Sequence, residues 1–155
     1  MEPIGLDPNA LKKALSLLKT RDRFGAEVRL ELLKSGFDTE SADRVVSYLL
    51  ERRYIDDRRT IINEIERRSG KRSMGRNLIR ERLLARGAPE DLLEELLGEE
   101  PDGEIARALE LLKGKIRTPG DRAKGGRLLF AKGFDESVIE QALDRFFGSI
   151  DNGVD

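Results

Sequence analysis

The stretch Leu33-Lys34-Ser35-Gly36-Phe37-Asp38 is echoed by Phe130-Ala131-Lys132-Gly133-Phe134-Asp135. A weaker third copy, Leu84-Ala85-Arg86-Gly87-Ala88-Pro89, lies between them. The three glycines are 51 and 46 residues apart. Six, nine and ten residues beyond each glycine stand Ala42, Val45, Val46; Leu93, Leu96, Leu97; and Ile139, Ala142, Leu143. Those offsets draw one apolar stripe along a helix. The glycine itself suits the position after a helix end, where positive φ strains other residues. Upstream, Ala14-Leu15-Ser16-Leu17-Leu18-Lys19 matches Ala108-Leu109-Glu110-Leu111-Leu112-Lys113. Each unit reads as helix, loop, helix, glycine turn, helix. A period near 50 residues predicts tandem three-helix modules that stack and bury a continuous apolar seam.

Helical spacing recurs almost everywhere, in Leu11, Ala14, Leu15, Leu18 and in Ile105, Ala108, Leu109, Leu112 for example. Sustained strand alternation is missing, so the fold class is all-α. Punctuation divides the chain into about nine helices. Asp7-Pro8 opens the first, Gly36 ends the second, and Asp38 caps the third. Asp56 or Asp57 caps the fourth. Ser73 precedes the fifth, which ends at Gly87, and Pro89 opens the sixth. Gly98 to Gly103 reads as a linker, Thr118-Pro119 opens the eighth helix, and Asp135 caps the ninth. The expected organisation is repeat 1 over 8–53, a basic repeat 2 over 54–98, repeat 3 over 103–147 and a flexible tail over 148–155.

Composition narrows the chemistry. The 155 residues include no Cys and no His. Disulfides, thiol nucleophiles, Cys/His zinc sites and His-based triads are therefore excluded, and no catalytic residue, metal site or cofactor is expected. The phosphate-loop pattern Gly-x-x-x-x-Gly-Lys-Ser/Thr is missing as well. No apolar run reaches the roughly 18 residues of a membrane span, and Met1-Glu2-Pro3-Ile4-Gly5 carries no basic-then-apolar signal. The expectation is a soluble, cytoplasmic protein without membrane contact.

Charge is balanced overall, 29 Lys+Arg against 30 Asp+Glu, but not locally. Residues 51–86 hold 12 cations and 6 acids, residues 87–104 hold 8 acids and no cation, and residues 105–134 hold 8 cations and 2 acids. The first basic block contains Arg67, Arg68, Lys71, Arg72, Arg76 and Arg80. Four-residue steps put Arg72, Arg76 and Arg80 on one face, provided that the helix begins early enough. Such a face suits phosphates or an acidic protein surface, because arginine forks engage both bidentately. The second block, Lys113, Lys115, Arg117, Arg122, Lys124 and Arg127, is interspersed with glycines and suits a phosphate backbone. The bland alternative for both is a solvated surface. The Asp56-Asp57 pair reads as a cap with a favourable helix-dipole contact rather than a metal or acid–base site. Tyr54 and Ile55 read as a staple or core contact at the same junction.

Several features together resemble the RecX family of recombinase regulators: the Gly-Phe-Asp turns, Tyr54-Ile55-Asp56-Asp57, and Arg67-Arg68-Ser69-Gly70-Lys71-Arg72-Ser73-Met74-Gly75 leading into Leu78-Ile79-Arg80-Glu81-Arg82-Leu83. The resemblance spans residues 10–147. Arg53 stands where the family pattern has Gly, Phe24-Gly25 where it has a capping Ser, and Arg58-Arg59-Thr60-Ile61-Ile62 lacks the common Phe-Ala pair. The resemblance implies three helical repeats in an elongated, curved molecule that acts as a monomer. It further implies a non-enzymatic regulator that binds the RecA recombinase filament on single-stranded DNA and dampens its growth, ATP hydrolysis and strand exchange, within DNA repair, homologous recombination and the SOS response. The candidate contacts are Arg67, Arg68, Lys71, Arg72, Arg76, Arg80, Lys115, Arg122, Lys124 and Arg127, with Gly36, Asp56, Asp57, Gly87 and Gly133 as structural residues. The competing function is a helical module that binds nucleic acid directly in repair or transcription. The acidic block and near-zero net charge argue against contact with DNA alone.

Overall fold

The computed structural model describes residues 5–68, 70–98, 101–116 and 120–148. Among the described residues every regular element is helical. The order is α1 (Pro8–Thr20), α2 (Gly25–Lys34), α3 (Thr39–Glu51), α4 (Asp57–Glu66), a single 3-10 turn (Gly70–Arg72), α5 (Arg76–Arg86), α6 (Glu90–Leu97), α7 (Pro101–Lys115), α8 (Arg122–Ala131) and α9 (Glu136–Phe147). Contacts divide the chain into two compact units. The first holds Met1–Ile62 and Leu83–Leu92, and the second holds Asn63–Arg82 and Leu93–Asp155.

The three glycine turns form as the repeat predicts. After α2, the Phe37 N–H donates to the Leu32 carbonyl at 3.1 Å, and Gly36 has φ 97°. After α5, the Ala88 N–H donates to Leu83 at 3.0 Å, with Gly87 at φ 100°. After α8, the Phe134 N–H donates to Leu129 at 3.1 Å, with Gly133 at φ 85°. In each case the left-handed residue lets the chain reach back and satisfy a carbonyl that the helix leaves open.

In the first unit α1, α2 and α3 close around Ala10, Ala14, Val28, Leu32, Ala42, Val45, Leu49 and Ile55. Gly25 opens α2 beside α3, where a Cβ would meet Val46 Cγ1 at 3.4 Å, an ordinary packing contact. Ile55 joins the core, as expected, whereas Tyr54 is 56% exposed. Leu11, Leu15 and Leu18 are only partly buried; with Tyr48, Arg53 and Tyr54 they line a cleft of about 620 Å³. Arg53 has φ 62°, so an arginine occupies a left-handed position that glycine fits without strain.

The second unit packs α7, α8 and α9 around Ile105, Ala108, Leu111, Leu112, Ile116, Leu129, Phe134, Val138, Ala142 and Leu143. Gly125 in α8 lets α7 and α9 close in: its Cβ would meet Leu112 and Leu143 at 3.1 Å. The glycine turn after α8 lies against the start of α5. The Gly75 N–H donates to the Lys132 carbonyl at 2.8 Å, and a Cβ on Gly75 would be 2.3 Å from the Gly133 carbonyl carbon.

Two boundaries and one cap differ from the sequence reading. Helix α5 begins at Arg76, not directly after Ser73, because Gly70–Arg72 form a 3-10 turn and Gly75 is drawn onto the backbone of the Gly133 turn. Arg72 therefore precedes the helix that carries Arg76 and Arg80, and the three-arginine face does not form. Helix α7 begins at Pro101, inside the stretch read as a linker. Proline at the first helical position with Asp102 and Glu104 in the first turn outweighs Gly103. The third difference is at α9, where Asp135 occupies the cap position without capping. Its Oδ1 instead accepts from Asn77 Nδ2 at 2.6 Å. The Thr118-Pro119 helix start, Arg117, Ser69, Glu99, Glu100 and the tail from 149 lie outside the described residues.

Candidate functional site

In both units a carboxylate from a later helix caps the second helix of a preceding module. Helix α2 starts after Phe24, whose side chain cannot accept a hydrogen bond. The cap comes from Asp57 at the start of α4, whose Oδ1 accepts the Gly25 N–H at 3.0 Å. Burial pushes the Asp57 carboxyl above its ordinary range, and the Gly25 hydrogen bond partly opposes that shift. Glu27 accepts the Phe24 N–H at 2.9 Å and is gripped by Arg86 through two bonds of 3.0 Å. The Arg86 guanidinium also lies 5.1 Å from the centre of the Phe24 ring. In the second unit buried Glu104 of α7 accepts the Arg76 N–H at 2.7 Å. Asp56 caps its own helix, accepting the Arg59 N–H at 3.1 Å. Both members of the Asp56-Asp57 pair are thus helix caps, and no cluster of three or more potential metal ligands occurs among the described residues.

The ten basic candidates separate into two groups. Arg67 and Arg68 both pair with Glu64, at 3.2 and 3.0 Å. Arg76 reaches the Leu97 carbonyl at 3.4 Å and lies 3.9 Å from Asp135. Arg80 forks onto Glu94, with Nη2 to Oε2 at 3.2 Å and a short Nε–Oε1 contact. That hydrogen bond lowers the Glu94 pKa and raises that of Arg80. Arg122 pairs with Asp144 at 2.6 Å. These five guanidinium groups are engaged within the second unit.

Lys71, Arg72, Lys115, Lys124 and Arg127 have no ion-pair partner among the described residues and are exposed. Three of them gather with Lys113 around the C-terminal turn of α7. The Gly70 N–H donates to Glu110 at 2.9 Å, and Arg107 Nε donates to the Met74 carbonyl at 3.1 Å. The stem of Lys71 lies on Gly114, where a Cβ would stand 2.7 Å from Lys71 Cγ. Residues 107, 110 and 114 share one helix face, so the loop from Gly70 to Met74 is laid along α7. Lys71 and Arg72 thereby come beside Lys113 and Lys115. Part of this charge offsets the negative end of the α7 dipole. All four cations are exposed to solvent, and together they suit an anionic surface.

The sequence reading did not single out Glu27, Arg86 or Glu104 as partners of helix ends, nor Phe130, which is 78% exposed on α8. The signal for Glu27 was present: a glutamate three residues after Phe24 is the second half of a capping box.

The model of the RecX first three-helix domain matches residues 10–49. A regulatory protein RecX of Thermus thermophilus is 33% identical over 133 residues, covering 86% of this chain and 89% of that protein. RecX of Chlorobium limicola is 29% identical over 140 residues, covering 86% and 87%. The crystal structure of RecX from Lactobacillus salivarius superposes with a TM-score of 0.76 over 89% of this chain and 94% of that one, at 16% identity. No helix among the described residues is long and apolar enough to cross a membrane. An all-helical fold, the glycine turns and sequence identity over most of the chain lead to one conclusion: this chain belongs to the RecX family of regulatory proteins.

Proposed function

We propose that the protein is a monomeric regulator of the RecA recombinase, acting in the bacterial cytoplasm during DNA repair, homologous recombination and the SOS response. It binds the RecA filament on single-stranded DNA and restrains filament growth, ATP hydrolysis and strand exchange. Family membership supplies the partner. The observation that carries the contact is the set of unpaired cations, Lys71, Arg72, Lys113 and Lys115, held together by the packing of Lys71 on Gly114. A filament that carries DNA phosphates attracts such a surface. To act, the protein must bind the restrained filament state more tightly than the active one.

The domain boundaries belong to the same proposal: three repeats over 8–53, 54–98 and 103–147. Support comes from three equivalent turns at Gly36, Gly87 and Gly133, and from the match of a first three-helix domain to residues 10–49.

The test is a steady-state titration of the DNA-dependent ATPase of RecA, alongside co-sedimentation with filaments across a salt series. Inhibition is expected to be sub-stoichiometric if the protein caps ends and near-stoichiometric if it lines the filament. Lys71→Glu, Arg72→Glu and Lys115→Glu together are expected to weaken binding far more than Lys12→Glu, Lys13→Glu and Arg21→Glu. Normal ATPase activity at saturating, bound protein refutes the regulatory reading.

A further inference from the structure

Helix α1 buries only Ala10 and Ala14 completely. Its leucines Leu11, Leu15 and Leu18 follow steps of four and three residues and are half-buried, forming a stripe along an open groove. The groove consists of two hollows, of about 620 and 560 Å³, that share Leu11, Leu15 and Lys19. Both lie within the first unit. Together they follow α1 from Leu6, before the helix, to Lys19 in its last turn, a length on the order of 20 Å. Each has the size of a small-molecule site, roughly 300–1,000 Å³.

The two ends differ. Near Lys19 the side chains of Tyr48 and Tyr54 form the wall, and Lys19, Arg53 and Arg59 bring three cations against one acid, Asp22. Arg59 lies 3.6 Å from Asp22 and donates to the Tyr54 carbonyl at 3.4 Å. Lys19 and Arg53 are exposed and have no carboxylate partner among the described residues. Arg53 is also the only non-glycine residue at positive φ among the described residues, at 62°. Strain of this kind is concentrated where a side chain serves a site. The far end, at Leu6 and Pro8, adds only Lys12 to the charge. A partner helix laid along α1 would be met by cations along its whole length. A ligand with a charged head and an apolar tail needs them at one end, with leucines over the rest, and that is the pattern here.

We propose that this groove binds a linear alkyl carboxylate of the fatty-acid class. The carboxylate sits between Lys19 and Arg53, and the chain lies along Leu18, Leu15 and Leu11 toward Leu6. None of these residues belongs to the cation set of the filament reading, so either proposal can fail without the other.

Tyr48 and Tyr54 are the only tyrosines and there is no tryptophan, so the emission of the full-length protein reports on the groove directly. The protein is titrated with octanoate, decanoate and dodecanoate below their micelle concentrations, and calorimetry follows the same series. Affinity is expected to rise about two- to fourfold per added methylene. Decyltrimethylammonium, with the decanoate-length tail and the opposite charge, should bind at least about tenfold more weakly than decanoate. Arg53→Gly, which also relieves the backbone, and Lys19→Gln should each weaken decanoate at least about fivefold without weakening the ammonium compound. An acidic amphipathic peptide free of aromatic residues and vesicles of phosphatidylglycerol complete the set, and circular dichroism follows each endpoint. Equal affinity for the carboxylate and the ammonium compound, affinity independent of chain length, or unchanged decanoate binding in both variants overturns the proposal. So does loss of helix on titration, which marks surfactant unfolding. Binding of the peptide without decanoate assigns the groove to a partner helix, and binding of vesicles alone assigns it to a membrane surface; either result overturns the proposal.

Discussion

Replacing Gly87 with alanine tests a strained turn and a close contact at once. Gly87 has φ 100°, where an alanine costs about 1–2 kcal/mol. The new Cβ would also stand 2.6 Å from the Cβ of Ala26 on α2, against an ordinary separation of about 3.5–4.0 Å. Forcing a methyl into such a contact costs about 1–3 kcal/mol. Gly87→Ala is thus expected to destabilise the first unit by about 2–5 kcal/mol. Ala26→Gly removes the opposing methyl and alone costs about 1 kcal/mol of helix propensity. In the double variant the clash is gone, leaving a loss of about 2–3 kcal/mol. The cycle should therefore show a coupling of about 1–3 kcal/mol in favour of the pair. Gly36→Ala supplies the control, because φ is 97° and nothing lies within 4 Å of the added Cβ. Urea unfolding followed by tyrosine emission reads this unit selectively, since Tyr48 and Tyr54 both lie in it and there is no tryptophan. An additive cycle, or a Gly87→Ala loss no larger than that of Gly36→Ala, refutes the methyl-to-methyl contact.

Arg53→Gly removes the left-handed strain at φ 62°, offset in part by the extra freedom of the unfolded chain, and should raise stability by about 0.5–1 kcal/mol in the same assay. Asp57→Ala opens the α2 cap and should cost about 0.5–2 kcal/mol near neutral pH. Because burial raises the Asp57 pKa, ionising it opposes folding: the penalty is missing below the ordinary carboxylate range and appears as pH rises through the raised value. Asp57→Asn, which keeps an acceptor for Gly25, should therefore gain on wild type as pH rises over that interval, and urea midpoints across the acid range check the sign. Asp38 behaves oppositely. The Ser41 N–H lowers its pKa, so its stabilisation is lost as pH falls, and Asp38→Asn should flatten the acid limb of the stability profile.

The turns and the buried stripes were legible because their causes are local. A helix end needs a left-handed residue within a few positions, and a core face repeats every third or fourth residue. Partnership across the chain was not legible. Asp57 caps a helix that begins 32 residues earlier, and Glu104 caps Arg76 across 28 residues. The same limitation governed the basic block. Spacing alone put Arg76 and Arg80 on an open face, but Leu97, Asp135 and Glu94 arrive from α6 and the start of α9 to occupy them. Lys71 beside Lys113 and Lys115 was equally hidden, since it depends on Gly114 leaving room for the Lys71 stem. Only Glu27, three residues along the sequence from the backbone N–H it caps, could have been found by pattern.

The discontinuity of the first unit bears on how the chain is made. Residues through Ile62 form most of it, but Leu83–Leu92 complete it. A nascent chain extends by about 5–20 residues per second. For a period on the order of seconds, α2 has therefore left the ribosome while the arginine that grips Glu27 is still unmade. The first unit is complete only after Arg86 and Gly87 have cleared the exit tunnel. A ribosome paused within α5 would hold out an unfinished unit, with Glu27 unpaired and the Ala26 surface bare, to any chaperone or protease nearby.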